Sequence, residues 1–456
     1  MELNEKHPVV TIGAVRRPDP VCARVHGDIE RVHGLLRELP DIDLAGGVGG
    51  TLLREAAVAG QAEIVEELLL YGVDPNRPWS SGVEPVSWLA EQGAWNILNR
   101  VLFHCSRHGP AVPERSLRAA LALARTWLGV DPEQKLRRRL DAVNDPATVV
   151  DRDRVPAWRD GGPMVTRIRI RTGDGRQDQV WAAHHAVVTL LEDELGVVTP
   201  CDELAERALH AADVDSCDAA QAFTTIAERA ERDAEVFDWL AARLAHPTSE
   251  HRLFAAQIVH RLSFDRRPFA AHAVDVLADR IRDEPDPAVL DSLIGAFAEF
   301  AYCARPGGYL SEILPHAHHR DPLVRARVAM ELSRPIGSRR NPTVPAPTCP
   351  SWPALITTLF ELAADPDPDT RTAALVSLAD AHHDTAHLRA IFTAHLSDPH
   401  PPARITAAVG LALRDDSRGR EALHRLETDP ATAVAARESL DDIDRIPGRQ
   451  RPLTQH

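Results

Sequence analysis

Three glycines recur at one fixed interval near the start of the chain. Gly27, Gly60 and Gly93 lie 33 residues apart, and the segments that follow them predict helices. Over 28–36 and 61–70 the apolar residues keep the spacing of one helix face: Ile29, Val32, Leu35 and Leu36 in the first segment, and Ile64, Val65, Leu68 and Leu69 in the second. A short unit of this kind buries its apolar face only against a neighbouring copy. The period therefore predicts stacked repeats rather than a globular enzyme core.

The segment from about 16 to 108 resembles ankyrin repeats. The middle copy carries most of the match, with Gly50-Thr51-Leu52-Leu53, Ala56-Ala57, Gly60, Glu63-Ile64-Val65, Leu68-Leu69, Gly72, Asp74 and Asn76. It departs from the family pattern at Leu52 and Arg54, where the family has proline and histidine. The third copy keeps Gly82, Pro85, Gly93 and Ile97. The resemblance implies helix pairs, and we expect the glycine after each second helix, such as Gly72, to form a left-handed cap.

Predicted helices and polar segments indicate where this first array begins and ends. Two helices predicted between 113 and 145 are interpreted as a degenerate fourth repeat or a cap, so the ankyrin-repeat domain is expected over 16–145, behind a disordered segment 1–15. The polar, Pro- and Gly-punctuated segment 146–162 is interpreted as a linker. The glycine-rich run 46–51 lacks the Gly-Lys-Ser/Thr ending of a phosphate-binding loop, and we assign it to the turn that enters the second repeat.

One short segment has the pattern of β-structure. Over 164–182, Val165, Ile168 and Ile170 alternate with three arginines before a Thr-Gly-Asp-Gly turn, which predicts a β-hairpin; the arginines are Arg167, Arg169 and Arg171. The arginine face has two interpretations at this point, plain solvent exposure and an anion site. The linker 146–162 and the hairpin 164–182 together form one predicted region, 146–182.

From 183 to 445 the chain resembles bacterial HEAT repeats of the type found in bilin-chromophore lyases. The resemblance rests on helix starts of the form Asp-Pro, at 286–287, 321–322, 367–368, 398–399 and 429–430, with His-Pro at 246–247. Asp caps free backbone N–H groups and Pro fits the first turn, so this pair marks helix starts. The resemblance implies that Arg325, Arg371 and Arg404 pair with acids of adjacent repeats. A Pro-rich loop over 334–353 and a disordered tail over 446–456 complete this part.

The fold class that follows is all-α, an α-solenoid of ankyrin repeats followed by HEAT repeats, with one short β-hairpin near 164–182. The net charge of −15 opposes nucleic-acid binding, because such binding depends on neutralising phosphates. Six scattered cysteines without a Cys-x-x-Cys pair indicate a reducing compartment. With no signal peptide and no membrane-spanning apolar run, we expect a cytoplasmic protein that meets no membrane. No motif predicts a catalytic residue, a cofactor or a metal site; the histidine clusters lack metal-ligand spacing.

The candidate binding residues are those that the repeats do not require. Arg77 and Trp79 follow Asn76 at a loop tip, Trp88 lies at a variable position of an inner helix, and Trp95 opens an outer helix. Trp and Arg are enriched in binding hot spots, and exposed indoles are costly to leave in water. An alternative interpretation has Trp88 or Trp95 packing against the next, degenerate unit.

These patterns favour a non-catalytic scaffold or adaptor that binds a partner protein on the solenoid surface. The acidic charge predicts a partner with a basic surface. Two alternatives remain open: an immunity protein that neutralises a toxin, and a lyase-like HEAT-repeat enzyme that uses the concave groove.

Overall fold

The computed structural model describes residues 10–13, 22–25, 47–79, 82–158, 161–210, 215–264, 270–304, 310–333 and 352–446. The chain forms two compact units, Met1–Glu228 (unit 1) and Arg229–His456 (unit 2). The described residues contain twenty-one α-helices and little β-structure, as expected for an all-α solenoid.

Unit 1 begins with a small antiparallel pair of strands, β1 (Val10–Gly13) and β2 (Cys22–Val25). The prediction of disorder over 1–15 is therefore wrong for β1. The first glycine-led repeat, at 28–36, lies outside the described residues. Helices follow in the order α1 (Gly47–Ala59), α2 (Ala62–Leu70), α3 (Pro85–Glu91), α4 (Trp95–Arg107), α5 (Glu114–Arg125) and α6 (Pro132–Arg139).

The predicted left-handed cap is present at Gly72, and the periodic glycines Gly60 and Gly93 share its conformation. Gly60, Gly72 and Gly93 have φ angles of +76°, +91° and +66°, so each adopts the left-handed conformation that only glycine reaches without strain. Helix α1 packs on α2, α2 on α4, α3 on α4 and α5, in the manner of stacked pairs. The two helices predicted between 113 and 145 are α5 and α6. One expectation is wrong: Gly47, Gly49 and Gly50 lie in the first turns of α1 and not in a turn before it.

The predicted linker is a β-strand. Strands β3 (Val149–Trp158), β4 (Gly161–Arg171) and β5 (Gln177–Trp181) form one antiparallel sheet in that order. The hairpin β4–β5 was predicted; β3 was not, because its sequence is charged and contains proline. Its register explains the charges, since Asp151 and Asp153 lie opposite Arg169 and Arg167. Pairing across strands stabilises opposite charges in this arrangement.

The sheet has two different faces, because side chains alternate along a strand. Ile168 and Ile170 pack with Trp127 and Leu136 in a small apolar cluster. The other face carries Arg167, Arg169, Arg171 and Trp181. The remaining helices of unit 1 are α7 (His184–Glu194), α8 (Cys201–Leu209) and α9 (Cys217–Ala230), and the last two residues of α9 belong to unit 2.

Unit 2 is a stack of helix pairs. Its helices are α10 (Ala234–Arg243), α11 (Ser249–Ser263), α12 (Ala270–Asp283), α13 (Pro287–Ala304), α14 (Leu310–Ile313), α15 (Pro322–Glu331), α16 (Trp352–Ala363), α17 (Pro368–Asp380), α18 (Ala386–His395), α19 (Pro401–Ala412), α20 (Ser417–Leu426) and α21 (Ala433–Arg445), with a 3₁₀ helix at Leu314–His318. Helices α11, α13, α15, α17, α19 and α21 pack on one another in succession. This succession is the repeat architecture that the sequence predicted.

Asp-Pro marks three of these helix starts as predicted. The side chains of Asp286, Asp321 and Asp367 accept backbone N–H bonds from the first turns of α13, α15 and α17. At 398 and 429 the assignment is wrong, because α19 begins at Pro401 and α21 at Ala433. Of the predicted loop 334–353, only 352–353 are described, and these two residues begin α16. The rest of the loop and the tail beyond 446 lie outside the described residues.

Candidate functional site

Two of the predicted contact residues are core residues. Trp79 and Trp95 are each only 5% exposed. The Trp95 Nε1 donates a hydrogen bond to Oε1 of Gln221 at 2.8 Å, and its ring centroid lies 5.5 Å from that of Trp158. The expectation that these two indoles face solvent is therefore wrong. Each fills the interior of unit 1, and a partner does not reach either ring in this conformation.

The other two predicted residues lie nearer the surface. Arg77 is exposed on the loop between α2 and α3. Trp88 is half-buried on α3, and its ring meets that of Trp79 edge to face with centroids 5.4 Å apart. Trp88 also lines a cleft, which Arg77 does not. The structure thus separates the four residues into two core indoles, one cleft residue and one loop residue.

This cleft, of about 540 Å³, is lined by α1, α3 and α6 together with the sheet. Helix α1 supplies Arg54, Glu55 and Val58. The strands supply Arg169 and Arg171 from the polar face of the sheet. Strand alternation, recognised in the sequence, is what places both arginines on this face.

Two hydrogen bonds hold the sheet against the repeat helices beside the cleft. The Gln179 side chain donates from Nε2 to the carbonyl oxygen of Val58 at 2.6 Å. The backbone N–H of Trp181 donates to the carbonyl oxygen of Gln92 at 2.8 Å. These contacts join residues more than eighty positions apart, and no motif in the sequence indicates them.

Several charges of the cleft neutralise one another. Asp153 accepts hydrogen bonds from Arg167 at 3.0 Å and from Arg169 at 2.7 Å. Arg139 pairs with Asp178 at 3.3 Å. The sequence left the arginine face between solvent exposure and an anion site; two of its three arginines are held by a carboxylate of the neighbouring strand.

Two cleft arginines differ from the others. Arg54 and Arg171 are exposed, and among the described residues neither guanidinium has a hydrogen-bond or ion-pair partner. Two carboxylates of the lining, Glu55 and Asp151, are also without such partners in the described part of the chain. The cleft therefore offers charged groups of both signs beside the indole of Trp88.

A second depression, the outer groove, lies on the second helices of the repeats. It has a volume of about 420 Å³ and is lined by Leu70, Phe103, Arg100 and Trp158, among others. Leu70 and Phe103 are 60% and 54% exposed, and they lie 33 residues apart, at equivalent positions of α2 and α4. The stacking of the repeats therefore does not require either side chain.

Charged groups border the outer groove. Arg100 forms ion pairs with Glu66 and, at 3.5 Å, with Glu63, and its guanidinium lies 4.8 Å from the ring centroid of Trp158. The Arg107 guanidinium lies 4.6 Å from the ring centroid of Phe103. Burial lowers the pKa of His104, and the neighbouring His108 lowers it further. An apolar centre with a polar, charged rim is the usual organisation of a protein interface.

The sequence did not predict this groove. The predicted contact residues are tryptophans and an arginine, whereas the exposed residues of the groove include a leucine and a phenylalanine in ordinary helical segments. The available signal was the shared register of Leu70 and Phe103 in the 33-residue period.

The most strongly perturbed ionisable groups of unit 1 support the fold. His184 stacks on Trp127 with centroids 4.8 Å apart and contacts the Glu91 carbonyl oxygen, and burial lowers its pKa to about 4. The Asp218 carboxylate accepts the Ala186 N–H at 2.7 Å in the first turn of α7, and burial raises its pKa to about 7. Both residues anchor the beginning of α7.

A buried ion cluster stabilises the C-terminal end of α7. Glu192 accepts hydrogen bonds from Arg207 at 2.6 Å, Arg125 at 2.7 Å and Thr199 at 2.7 Å. Burial alone would raise the pKa of Glu192, but these three donors lower it below its usual range.

In unit 2 the predicted pairing of arginines with acids of adjacent repeats, an arginine ladder, is present at Arg325 and Arg371, is wrong for Arg404, and occurs also at Arg252, which was not predicted. Arg252, Arg325 and Arg371 each bind a buried carboxylate with two nitrogens; the acids are Glu284, Asp365 and Asp398, at distances from 2.7 to 3.1 Å. The third guanidinium nitrogen of each arginine donates to two carbonyl oxygens before its own helix. Arg404 makes only the carbonyl contacts, to Asp398 and Pro399.

Within the described ranges, no group of three or more His, Cys, Asp or Glu side chains is placed to hold a metal ion. No helix in the described part of the chain has the length and apolar character needed to cross a membrane.

No family model and no curated protein matches the chain. Among solved structures, it is similar to the Escherichia coli protein YibA, at 16% identity and a TM-score of 0.40, over 56% of this chain and 96% of that one. It is similar to an archaeal HEAT-like repeats protein from Thermococcus onnurineus, at 14% identity and a TM-score of 0.34, over 55% and 98%. A chain from the structure of the Pds5–Scc1 complex matches at 12% identity and a TM-score of 0.30, over 91% and 71%.

These scores are low. The structural neighbours include a HEAT-like repeat protein, but similarities at TM-scores below 0.5 identify neither a family nor a function for this chain. The ankyrin resemblance and the lyase-type HEAT resemblance stay predictions from the sequence.

Proposed function

We propose that the protein is a non-catalytic scaffold that binds a partner protein through the outer groove of unit 1. The observation that carries the proposal is the pair Leu70 and Phe103. Both are large, apolar and more than half exposed, and both line one groove from equivalent positions on neighbouring helices. Repeat proteins recognise partners with side chains that their stacking leaves free.

The groove also indicates the chemistry of the partner. Helix α2 contributes three acids, Glu63, Glu66 and Glu67, and no basic residue. Arg100 neutralises part of this charge. We therefore propose a partner surface with an apolar centre for Leu70 and Phe103, and with basic residues facing α2, in agreement with the net charge of −15.

The most extensive polar clusters among the described residues stabilise the fold. The ladder arginines of unit 2 bind the carboxylates of the neighbouring helix pair, and His184 and Asp218 hold the start of α7. Burial lowers the pKa of His184 and raises that of Asp218, whereas the hydrogen bonds to Asp365 and Asp398 raise the pKa values of Arg325 and Arg371. This use of the clusters is what favours a scaffold over a catalyst.

The test is affinity capture with the full-length chain from the cells that express it, comparing wild type with a Leu70→Ser/Phe103→Ser double variant. We expect the variant to keep its helicity and melting temperature, because both residues are exposed, and to lose the captured protein. Loss of two central apolar contacts costs at least about tenfold in affinity.

The matched control is Met330→Ser/Val376→Ser, which removes two equally exposed apolar residues from unit 2; both are 50% exposed. We expect this variant to capture the partner like wild type. Undiminished capture by the unit 1 variant, or equal loss with the unit 2 variant, would refute the proposal.

A further inference from the structure

We propose that the cleft between helix α1, helix α3 and the sheet is a second binding site, and that it takes an acidic peptide segment of a partner protein. This inference rests on the proposed scaffold function but concerns a different surface. Its lining differs from that of the outer groove, since it combines an indole with several arginines.

The guanidinium groups in and beside the cleft fall into two sets, those already bound by carboxylates and those without a partner among the described residues. Arg139, Arg167 and Arg169 are already bound by Asp178 and Asp153. Arg54 and Arg171 are not, within the described residues. A free guanidinium presents a planar set of N–H donors that fits a carboxylate with two parallel hydrogen bonds. Two such groups in one cleft can hold two carboxylates of one chain.

The charge of the cleft lining differs in sign from that of the whole chain. The lining has four basic and three acidic residues, which gives +1: Arg54, Arg139, Arg169 and Arg171 against Glu55, Asp151 and Asp178. The whole chain has a net charge of −15. An acidic peptide is therefore repelled less by this lining than by a surface with the average charge of the chain.

The cleft lining also has an apolar part, formed by Trp88 and Val58. Trp88 is half-buried with its neighbour Trp79 behind it, and Val58 of α1 is exposed. An aromatic ring held by a second ring is a rigid surface that loses little entropy on binding. The cleft thus fits a peptide in which one apolar side chain lies near the acidic ones.

Two carboxylates in the lining oppose such a ligand and make the proposal specific. Glu55 and Asp151 have no partner among the described residues. Both repel an acidic ligand, so removing them must strengthen binding if the ligand is acidic. A basic ligand would show the reverse response at all four positions.

The experiment measures fluorescence anisotropy of the full-length chain with three labelled probes: a glutamate-rich peptide containing one leucine, a lysine-rich peptide with the same leucine, and an oligothymidine. We expect preferential binding of the glutamate-rich peptide. Its affinity should fall about tenfold in Arg54→Ala/Arg171→Ala, rise several-fold in Glu55→Gln/Asp151→Asn, and weaken with added salt.

Arg54 and Arg171 are exposed, and Glu55 and Asp151 are half-buried without a partner among the described residues, so circular dichroism should show an unchanged fold. The Leu70→Ser/Phe103→Ser variant should bind the glutamate-rich probe like wild type, which separates this proposal from the proposed function. Equal or tighter binding of the lysine-rich peptide or of the oligothymidine would overturn the inference. So would an affinity that does not respond to the loss of Arg54 and Arg171.

Discussion

The two units stack helix pairs with different chemistry. In unit 2 the polar contact between pairs repeats, since an arginine at one fixed position binds a carboxylate placed before a later helix, as Arg325 binds Asp365. In unit 1 the repeat helices pack against the three-stranded sheet β3–β4–β5, which is not part of the repeat. Trp181 of this sheet lies against the turns at Gly60 and Gly93. A contact that repeats can be inferred from one sequence, whereas a contact that occurs once cannot.

The largest expected effect is a loss of stability in unit 1 when the contact between Gly93 and Trp181 is disrupted. A Cβ atom at Gly93 would lie 2.1 Å from the Trp181 carbonyl oxygen, at a φ of +66°. Gly93→Ala should therefore lower the free energy of unfolding of unit 1 by about 3 kcal/mol or more. Urea unfolding followed by tryptophan fluorescence measures this, because six of the eight tryptophans lie in unit 1.

Gly72→Ala is the matched control for that substitution. Gly72 has a φ of +91° but no atom within 4 Å of an added Cβ, so only the backbone strain remains, about 1 kcal/mol. Equal losses of unfolding free energy in the two variants would show that the contact between Gly93 and Trp181 does not stabilise unit 1.

The next effect concerns a contact that occurs once among the described residues of unit 2. The Arg414 side chain is fully buried and donates to five carbonyl oxygens, those of Leu378, Ala379, Ala381, His383 and Gly410. Arg414→Met leaves these acceptors without donors, and we expect a loss of about 3 kcal/mol. Hydrogen exchange of the α17 and α19 amides measures it.

Arg418→Met is its control, since Arg418 is exposed and binds Asp416 at the surface. A change below about 0.5 kcal/mol is expected there. If both arginine variants exchange like wild type, the carbonyl cluster does not stabilise this part of unit 2.

A third effect tests the repeating contact itself. Arg371→Met removes the guanidinium partner of the buried Asp398, which keeps only its contacts to His395 and the His400 N–H. Arg404→Met removes only two contacts to carbonyl oxygens. We expect losses of about 2 to 3 kcal/mol and about 1 kcal/mol, respectively. Circular dichroism during urea unfolding compares them, and a larger loss for Arg404 would contradict the ladder.

The smallest effect depends on pH and concerns unit 1. Burial raises the pKa of Asp218 to about 7, far above that of an unfolded aspartate. As the pH rises from 4 to 7, the unfolded chain releases this proton before the folded one does, so the contribution of Asp218 to stability falls. Asn still accepts the Ala186 N–H. Asp218→Asn should therefore gain about 1 to 2 kcal/mol over wild type between pH 4 and pH 8.

His184 and His185 give the opposite slope, because burial lowers the pKa of each to about 4 and stability is lost as the pH falls below 6.5. Comparing the variant with wild type at each pH cancels their contribution. A difference that does not change with pH would show that Asp218 keeps an ordinary pKa.

Much of the helical fold could be predicted from the sequence. The glycine period and the Asp-Pro starts indicate local structure, and the ladder arginines occupy matching positions, so each signal occurs several times. Strand β3 was missed because its charges and its proline resemble a linker; opposite charges on β4 stabilise it as a strand.

The candidate site was predicted less well. Residue type alone selected Trp79 and Trp95, which are buried through contacts such as the bond from Trp95 to Gln221, 126 residues later. Trp88 was selected on the same ground and does line the cleft. Leu70 and Phe103 were missed because exposure of a leucine or phenylalanine depends on neighbours that the sequence does not name.

Hydrogen exchange of the full-length chain with and without its captured partner tests the central claim most directly. The account predicts that the partner slows exchange in α2 and α4, at Ala62–Leu70 and Trp95–Arg107, and leaves the ladder helices α15, α17 and α19 unchanged. Slower exchange in those three helices, with none in α2 and α4, would contradict it.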